Sequence, residues 1–306
     1  MPDCFRIKNL ILCFLLYSCH PEPCAELVSV LFQDLDIGTR SWLVTVRSVK
    51  IDKGKTMKLE QIVEYLDNLL NVKDIPDESL NGLQVANSGE VKKAAFAVDV
   101  SLASIEKAAA EQADMLIVHH GLFWGKPAPV THGLYQRIKM LIDDDIALYG
   151  VHLPLDMHPE LGNNARIEKV LGWPVKEDFG EYHGLIIGKA VEFKKPVSVD
   201  DISRRLKERL NTEPVVWNFG PEKISRVGYV SGGAISMLPE AIKANVDAFI
   251  TGETRHEAYW QAREAGINVF FAGHYATETL GVKALEENIK EKLKIETVFI
   301  DLPTGY

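Results

Sequence analysis

From residue 59 onward the chain runs through one plan twice, so its fold has to accommodate two copies of the same half. Leu59, Ile62, Leu66 and Leu70 recur 140 positions later as Val199, Ile202, Leu206 and Leu210, and Asn71 recurs as Asn211. With Val63 and Leu69, the first set forms the 3.6-residue apolar stripe of a helix facing a core. Short strands are predicted next at 82–85 and 94–100, then a helix at 101–112 and a strand ending in His119-His120. The second pass offers strands at 215–217 and 226–231, a helix at 235–245 and a strand at 248–251, with Ala113-Asp114-Met115-Leu116-Ile117 aligning with Val246-Asp247-Ala248-Phe249-Ile250. Each pass adds another helix and a further strand, 146–151 and 267–272. A recurrence in this order predicts an α/β fold of two halves related by internal duplication, near 57–182 and 183–306, with 1–56 outside the repeat.

The polar residues that interrupt this plan cluster at strand ends, where open α/β sheets place their ligand sites. The apolar run 115–118 stops at His119-His120-Gly121. Adjacent strand residues point to opposite faces, so two such imidazoles serve two ions more easily than one. A strand end with two hydrogen-bonded histidines is the alternative. The last strand of each pass runs into the same pattern, His152-Leu153-Pro154-Leu155-Asp156 and His274-Tyr275-Ala276-Thr277-Glu278, with a helix after each at 164–171 and 279–293. The four-residue spacing puts His274 and Glu278 one helical turn apart, able to face one cleft. Glu253 and His256 fall where the repeat places the counterpart of the histidine pair. A Gly/Pro-rich loop, 121–129, leaves directly from that pair in the first half only. Its Phe123 and Trp124 either pack on a neighbouring helix or touch substrate. Ser231-Gly232-Gly233-Ala234 is a glycine turn able to cradle a phosphate, without a full dinucleotide or P-loop fingerprint. His20, His132, His158 and His183 read as surface or core residues.

Composition limits the chemistry. The 306 residues carry 34 Lys+Arg against 43 Asp+Glu, a net charge of −9 with no run of five basic residues, so no nucleic-acid footprint is visible. All four cysteines, Cys4, Cys13, Cys19 and Cys24, lie in the first 24 residues, which leaves the body without a disulfide framework or thiolate metal site. The apolar run 10–17 is too short to span a bilayer but has the size of a signal-peptide core, and Leu16-Tyr17-Ser18-Cys19 loosely resembles a lipoprotein cleavage site. Against that, Met57 immediately precedes the first amphipathic helix and offers itself as the start of translation, which would make the protein cytoplasmic.

Imidazole and carboxylate ligands without thiolate suit Zn, Mn, Fe, Co or Ni. Two such ions close together need a bridging carboxylate and further ligands, and His119, His120, Asp156, His274 and Glu278 supply that set. The segments 117–121, 152–165, Thr251-Gly252-Glu253 and 272–278 together resemble the Nif-three-like dinuclear metal-centre family, whose members are often named GTP cyclohydrolase 1 type 2 homologues. The resemblance covers about 57–306. It implies two interlinked α/β halves, a two-metal site between them and a homohexameric ring. It further implies that His119, His120, Asp156, His274 and Glu278 are the metal ligands, with Asp156 and Glu278 bridging, and that His152 stands near the site as a second-layer or substrate-facing group. Two functions stay open: a metal-dependent hydrolase acting on a nucleotide or related small molecule, with His152 as candidate acid or base, or a non-catalytic metal-binding ring that acts through protein partners. Neither reading calls for a membrane or a nucleic acid.

Overall fold

The computed structural model describes residues 55–306; the signal-like stretch and the four cysteines lie outside the described residues. The first pass comprises β1 (Met57–Lys58), α1 (Leu59–Leu69), β2 (Gly82–Val85), β3 (Glu90–Val91), β4 (Lys93–Asp99), α2 (Leu102–Ala110), β5 (Met115–His120), α3 (His132–Asp143) and β6 (Ala147–Gly150). A short α4 (Leu153–Asp156), α5 (Asn163–Leu171) and the strands β7 (Val175–Tyr182) and β8 (Leu185–Ser198) connect it to the second. There follow α6 (Val199–Leu210), β9 (Val215–Trp217), β10 (Lys223–Tyr229), a 3-10 turn (Ala234–Met237), α7 (Leu238–Lys243), β11 (Ala248–Thr251), α8 (Ala258–Ala265), β12 (Asn268–Phe271), α9 (His274–Leu293) and β13 (Glu296–Phe299).

Local signals explain the boundaries. Ser101 caps α2 by accepting from the Ser104 amide, and Ser198 caps α6 by accepting from the Asp201 amide. The repeated asparagines, Asn71 and Asn211, both sit in left-handed conformation just past their helices, with φ of 51° and 53°. Asparagine tolerates that region better than most side chains, which accounts for its recurrence at the two helix ends.

The duplication is written into the sheets. One has the order β2-β6-β5-β4-β13 and the other β9-β12-β11-β10-β8-β7. In each, three parallel central strands carry an antiparallel edge strand, β2 beside β6 and β9 beside β12. The registers also correspond: Ala94, Met115 and Ala147 stand abreast in the first sheet as Val227, Ala248 and Asn268 do in the second.

Side-chain alternation divides each sheet into two faces. On the first, Phe96, Val98, Met115 and Ile117 join Ile62 and Leu66 of α1, while Ala95, Ala97, Leu116 and Val118 meet Ile105 of α2 and Leu141 of α3. The face that carries α1 also receives Val282, Leu285 and Ile289 of α9, a helix from the second pass. Reciprocally, Ile167 and Leu171 of α5, which follows the first pass, pack with Ile202 and Leu206 of α6 against the second sheet. Each half thus lends a helix to the other, and β13 pairs with β4 in the first sheet. The boundary expected at 182/183 falls in the turn of the β7–β8 hairpin, whose strands both belong to the second sheet. The linear halves and the spatial ones therefore differ at 163–182 and at 274–306, segments whose apolar faces or strand edges are matched by the opposite sheet. Leu66 is fully buried in the first core. Leu66→Ala is expected to destabilise the protein by about 2–5 kcal/mol, measured as a fall in the urea midpoint, because a cavity is left behind.

Among the described residues no helix is long and apolar enough to cross a membrane.

Candidate metal centre

The carboxyl ends of β5 and β6 and the start of α9 surround a cleft of about 530 Å³. His119 continues the inner-face row of Met115 and Ile117, and His120 the opposite row. At the strand end nothing separates the two rings, whose centroids lie 4.7 Å apart. Helix α9 begins at His274, five residues before the expected 279, so His274 and Glu278 occupy its first turns and point into the same cleft. On the other side α4 carries Asp156 one turn beyond His152.

Every imidazole here is held by its outer nitrogen. His119 Nδ1 donates to the Val151 carbonyl at 2.9 Å, and His120 Nδ1 to Asp99 at 2.8 Å. His274 Nδ1 lies 3.1 Å from a Glu253 oxygen, and His152 Nδ1 lies 3.1 Å from both oxygens of Asp77. Carboxylates and carbonyls only accept, so each Nδ1 carries a proton, which leaves each Nε2 as the nitrogen available to a cation. This is the outer bonding that metal-ligating histidines use.

The Nε2 atoms of three of these rings converge on Glu278. Its Oε1 lies 3.5 Å from His119 Nε2, and its Oε2 lies 3.3 Å from His120 Nε2 and 3.1 Å from His274 Nε2. Asp156 Oδ2 stands 3.6 Å from His119 Nε2, while its Oδ1 accepts from Asn163 Nδ2 at 2.8 Å and Ser231 Oγ at 3.1 Å. Any bridging by Asp156 would accordingly run through Oδ2. His119 Nε2, His274 Nε2 and Glu278 Oε2 are buried without a hydrogen-bond partner. Buried polar atoms are rarely left so, and a pair of bound cations would give all three a partner. The residues present fit a metal pair.

Electrostatics point the same way. Burial alone would lower the His119 imidazole, but Asp156 and Glu278 outweigh it and raise it to about 9. Burial likewise opposes the protonated form of His274, while Glu278 and Glu253 raise it to about 9. Burial would raise the Glu278 carboxyl, yet His119, His274 and His120 hold it well below the usual range. A pocket this rich in carboxylate draws positive charge, which divalent cations supply compactly.

The glycine turn 231–234, which could cradle a phosphate, also has a steric role. Gly232 has φ +66°, and a Cβ there would run into the Glu278 carboxylate. At Gly252 a Cβ would come within 2.5 Å of the His274 Cα. These glycines make room for the first turn of α9. Gly232→Ala is expected to displace Glu278 and lower metal content while leaving helical circular dichroism unchanged.

The five expected ligands lie together, with His152 beside them: ligand atoms of His119, His120 and His152 fall within 4.8 Å of one another. Glu253 borders the cleft, whereas His256 is exposed and outside its lining. Trp124 is 40% exposed, with its ring 4.9 Å from that of His152, so it forms part of the cleft wall. His158 accepts from the Leu161 amide, and His183 sits in the β7–β8 turn at φ 51°.

Sequence reading passed over Asp77 and Asp99, and took in Asn163 and Asn164 only as part of the segment 152–165. Asp77 also accepts from the Leu153 amide at 3.0 Å and from Asn81 Nδ2 at 2.9 Å, tying a remote turn to His152. Asn163 accepts from the Gly281 amide and Asn164 from the Ser231 amide, which stitches the start of α5 to α9 and to the end of β10. Only the Asn163-Asn164 pair carried a signal, as two adjacent amides at a helix start.

A protein-family model described as Duf34/NIF3 (NGG1p interacting factor 3) matches residues 57–304. A Pyrococcus horikoshii protein called GTP cyclohydrolase 1 type 2 homolog is 49% identical over 250 residues, 81% of this chain and 100% of its own. A protein of the same name from Archaeoglobus fulgidus is 47% identical over 249 residues, again 81% of this chain and 100% of its own. The crystal structure of TTHA1606 from Thermus thermophilus superposes with a TM-score of 0.73 at 39% identity, covering 82% of this chain and 100% of that one.

Proposed function

Because the chain belongs to the Duf34/NIF3 family, we propose that it is a dinuclear-metal-dependent hydrolase acting on a nucleotide or a related small molecule. The observation that carries the metal part is the convergence of three outward-anchored imidazoles on the two oxygens of one buried carboxylate. His119, Asp156 and Glu278 Oε1 would hold one ion, and His120, His274 and Glu278 Oε2 the other. Zinc, iron, manganese, cobalt and nickel all suit this donor set. When bound, such ions acidify water and polarise the bond under attack.

The chain's own residues supply the rest. His152, with its Nδ1 fixed by Asp77, presents Nε2 at the edge of the cleft and is placed to accept or return a proton. Trp124 and Tyr182 contribute flat apolar surface to the wall, and Arg255 a positive charge able to meet an anionic group. Support for a nucleotide comes from these three residues and from the name carried by the relatives, GTP cyclohydrolase 1 type 2 homolog.

The test is to incubate metal-replete protein with a panel of nucleotides and phosphoesters and follow products by mass. Metal-dependent addition of water to a panel member is the expected result. Absence of metal-dependent turnover on every member would favour the non-catalytic ring. The proposal includes assembly as a homohexamer, and a monomer by light scattering at micromolar concentration would contradict that part.

A further inference from the structure

A second cavity, of about 860 Å³, opens in the second half and shares no lining residue with the metal cleft. Its walls are the turn after α5, the end of β8 and one side of α6. Lys194 and Lys195 come from the strand, and Arg204, Arg205 and Arg209 from the helix. Against these five cations stand two carboxylates, Asp201 and Glu208, which leaves a net charge of +3 on a chain whose total is −9. Sequence alone hides this, because the cations fall in two stretches separated by the acidic start of α6.

The charges here are largely uncommitted. Asp201 is already engaged by the Ser198 hydroxyl and Arg204. Arg205 donates through Nη1 to the Leu171 carbonyl at 3.2 Å, which fixes its guanidinium at the groove and leaves its other donors free. Lys194, Lys195 and Arg209 make no ion pair among the described residues. By contrast, nearby Lys176, Lys189 and Lys207 are paired with Glu192, Asp178 and Glu213. Trp173 and Phe193, packed edge to face at 5.6 Å, give the groove an apolar side.

We propose that this groove is a second binding site, for a polyphosphate group either free or carried by a nucleoside. Several guanidinium forks and ammonium groups around one volume match a chain of phosphate oxygens, whereas a single carboxylate would answer only one of them. The volume lies within the range of small-ligand sites rather than the extended stripe that tracks a nucleic-acid strand.

Calorimetric titration of the full chain with inorganic tripolyphosphate tests it. Saturable binding that weakens as salt is raised is expected. Arg205→Ala/Arg209→Ala, and separately Lys194→Ala/Lys195→Ala, should each raise Kd about tenfold or more, while Asp156→Ala leaves it unchanged. Two independent pairs on different elements guard against a local folding defect. A parallel titration with adenosine triphosphate separates the sources: tighter binding than tripolyphosphate identifies a nucleotide read by the apolar side, and equal binding identifies the phosphate chain alone. No saturable binding by either overturns the proposal. So does binding that is lost in Asp156→Ala and kept in both groove variants, which would place the anion at the metal centre. Tight binding of a single-stranded oligonucleotide with none of tripolyphosphate also overturns it, in favour of a nucleic acid.

Discussion

Glu278→Ala is expected to strip the chain of both metal ions, not one. The two oxygens of this carboxylate face different imidazoles, Oε1 toward His119 and Oε2 toward His120 and His274, so its removal takes a ligand from each side together. Glu278 is 3% exposed, and the Gly232 backbone closes against it, leaving no space for a long neighbouring side chain to substitute. Elemental analysis of protein purified without chelator should give two ions per chain for the wild type and fewer than one for the variant. A variant that keeps one tightly bound ion would show that Glu278 serves a single position. Unchanged helical circular dichroism separates loss of metal from loss of fold.

A second large effect is expected at a residue that touches no proposed ligand of the metals. Asp77 accepts from His152 Nδ1, which keeps the proton on that nitrogen and the lone pair on Nε2. In Asp77→Asn the amide can donate to Nδ1 instead, forcing the proton onto Nε2 and reversing what His152 offers the cleft. Turnover should fall about 10²-fold or more while both metals remain, and His152→Ala should do the same. If His152→Ala loses a metal, His152 is a ligand and its role as acid or base is wrong.

The pair also carries a pH signature. Burial would raise the Asp77 carboxyl, but His152, with Asn81 and the Leu153 amide, outweighs it and holds it at about 2, below the ordinary 3.8. A carboxyl depressed on folding stabilises the protein above its unfolded value, and that contribution is lost as pH falls through the folded one. Wild type should therefore exceed Asp77→Asn by on the order of 1–2 kcal/mol at neutral pH. Denaturation curves of the two should converge between about pH 4 and pH 2.

Much of this was legible because two regular signals survive in the chain. The stripe at Leu59–Leu69 and its copy at Val199–Leu210, with β5 and β11 after them, predicted the paired sheets, since burial on one or both faces fixes periodicity. The histidine pair and the two His-x-x-x-acid segments stood out because such residues seldom end apolar strands without a use. What periodicity does not carry is which sheet a helix covers. Helices α5 and α9 have apolar faces that suit either core, and only the chain's path assigns them. Asp77 was hidden for another reason: it lies in a turn after Pro76, where an aspartate is ordinary, and only the fold brings it to His152.

The placement of β13 sets a timetable for synthesis. This strand leaves the ribosome some 200 residues after β4, the strand it pairs with. Helix α9, which covers that sheet and brings His274 and Glu278, emerges only just before it. Until then the histidine pair waits on a sheet with an open edge and a face that only α1 covers. Long-range closure of this kind is slow, so the β4 edge of the first sheet stays open to wrong pairing until β13 has emerged.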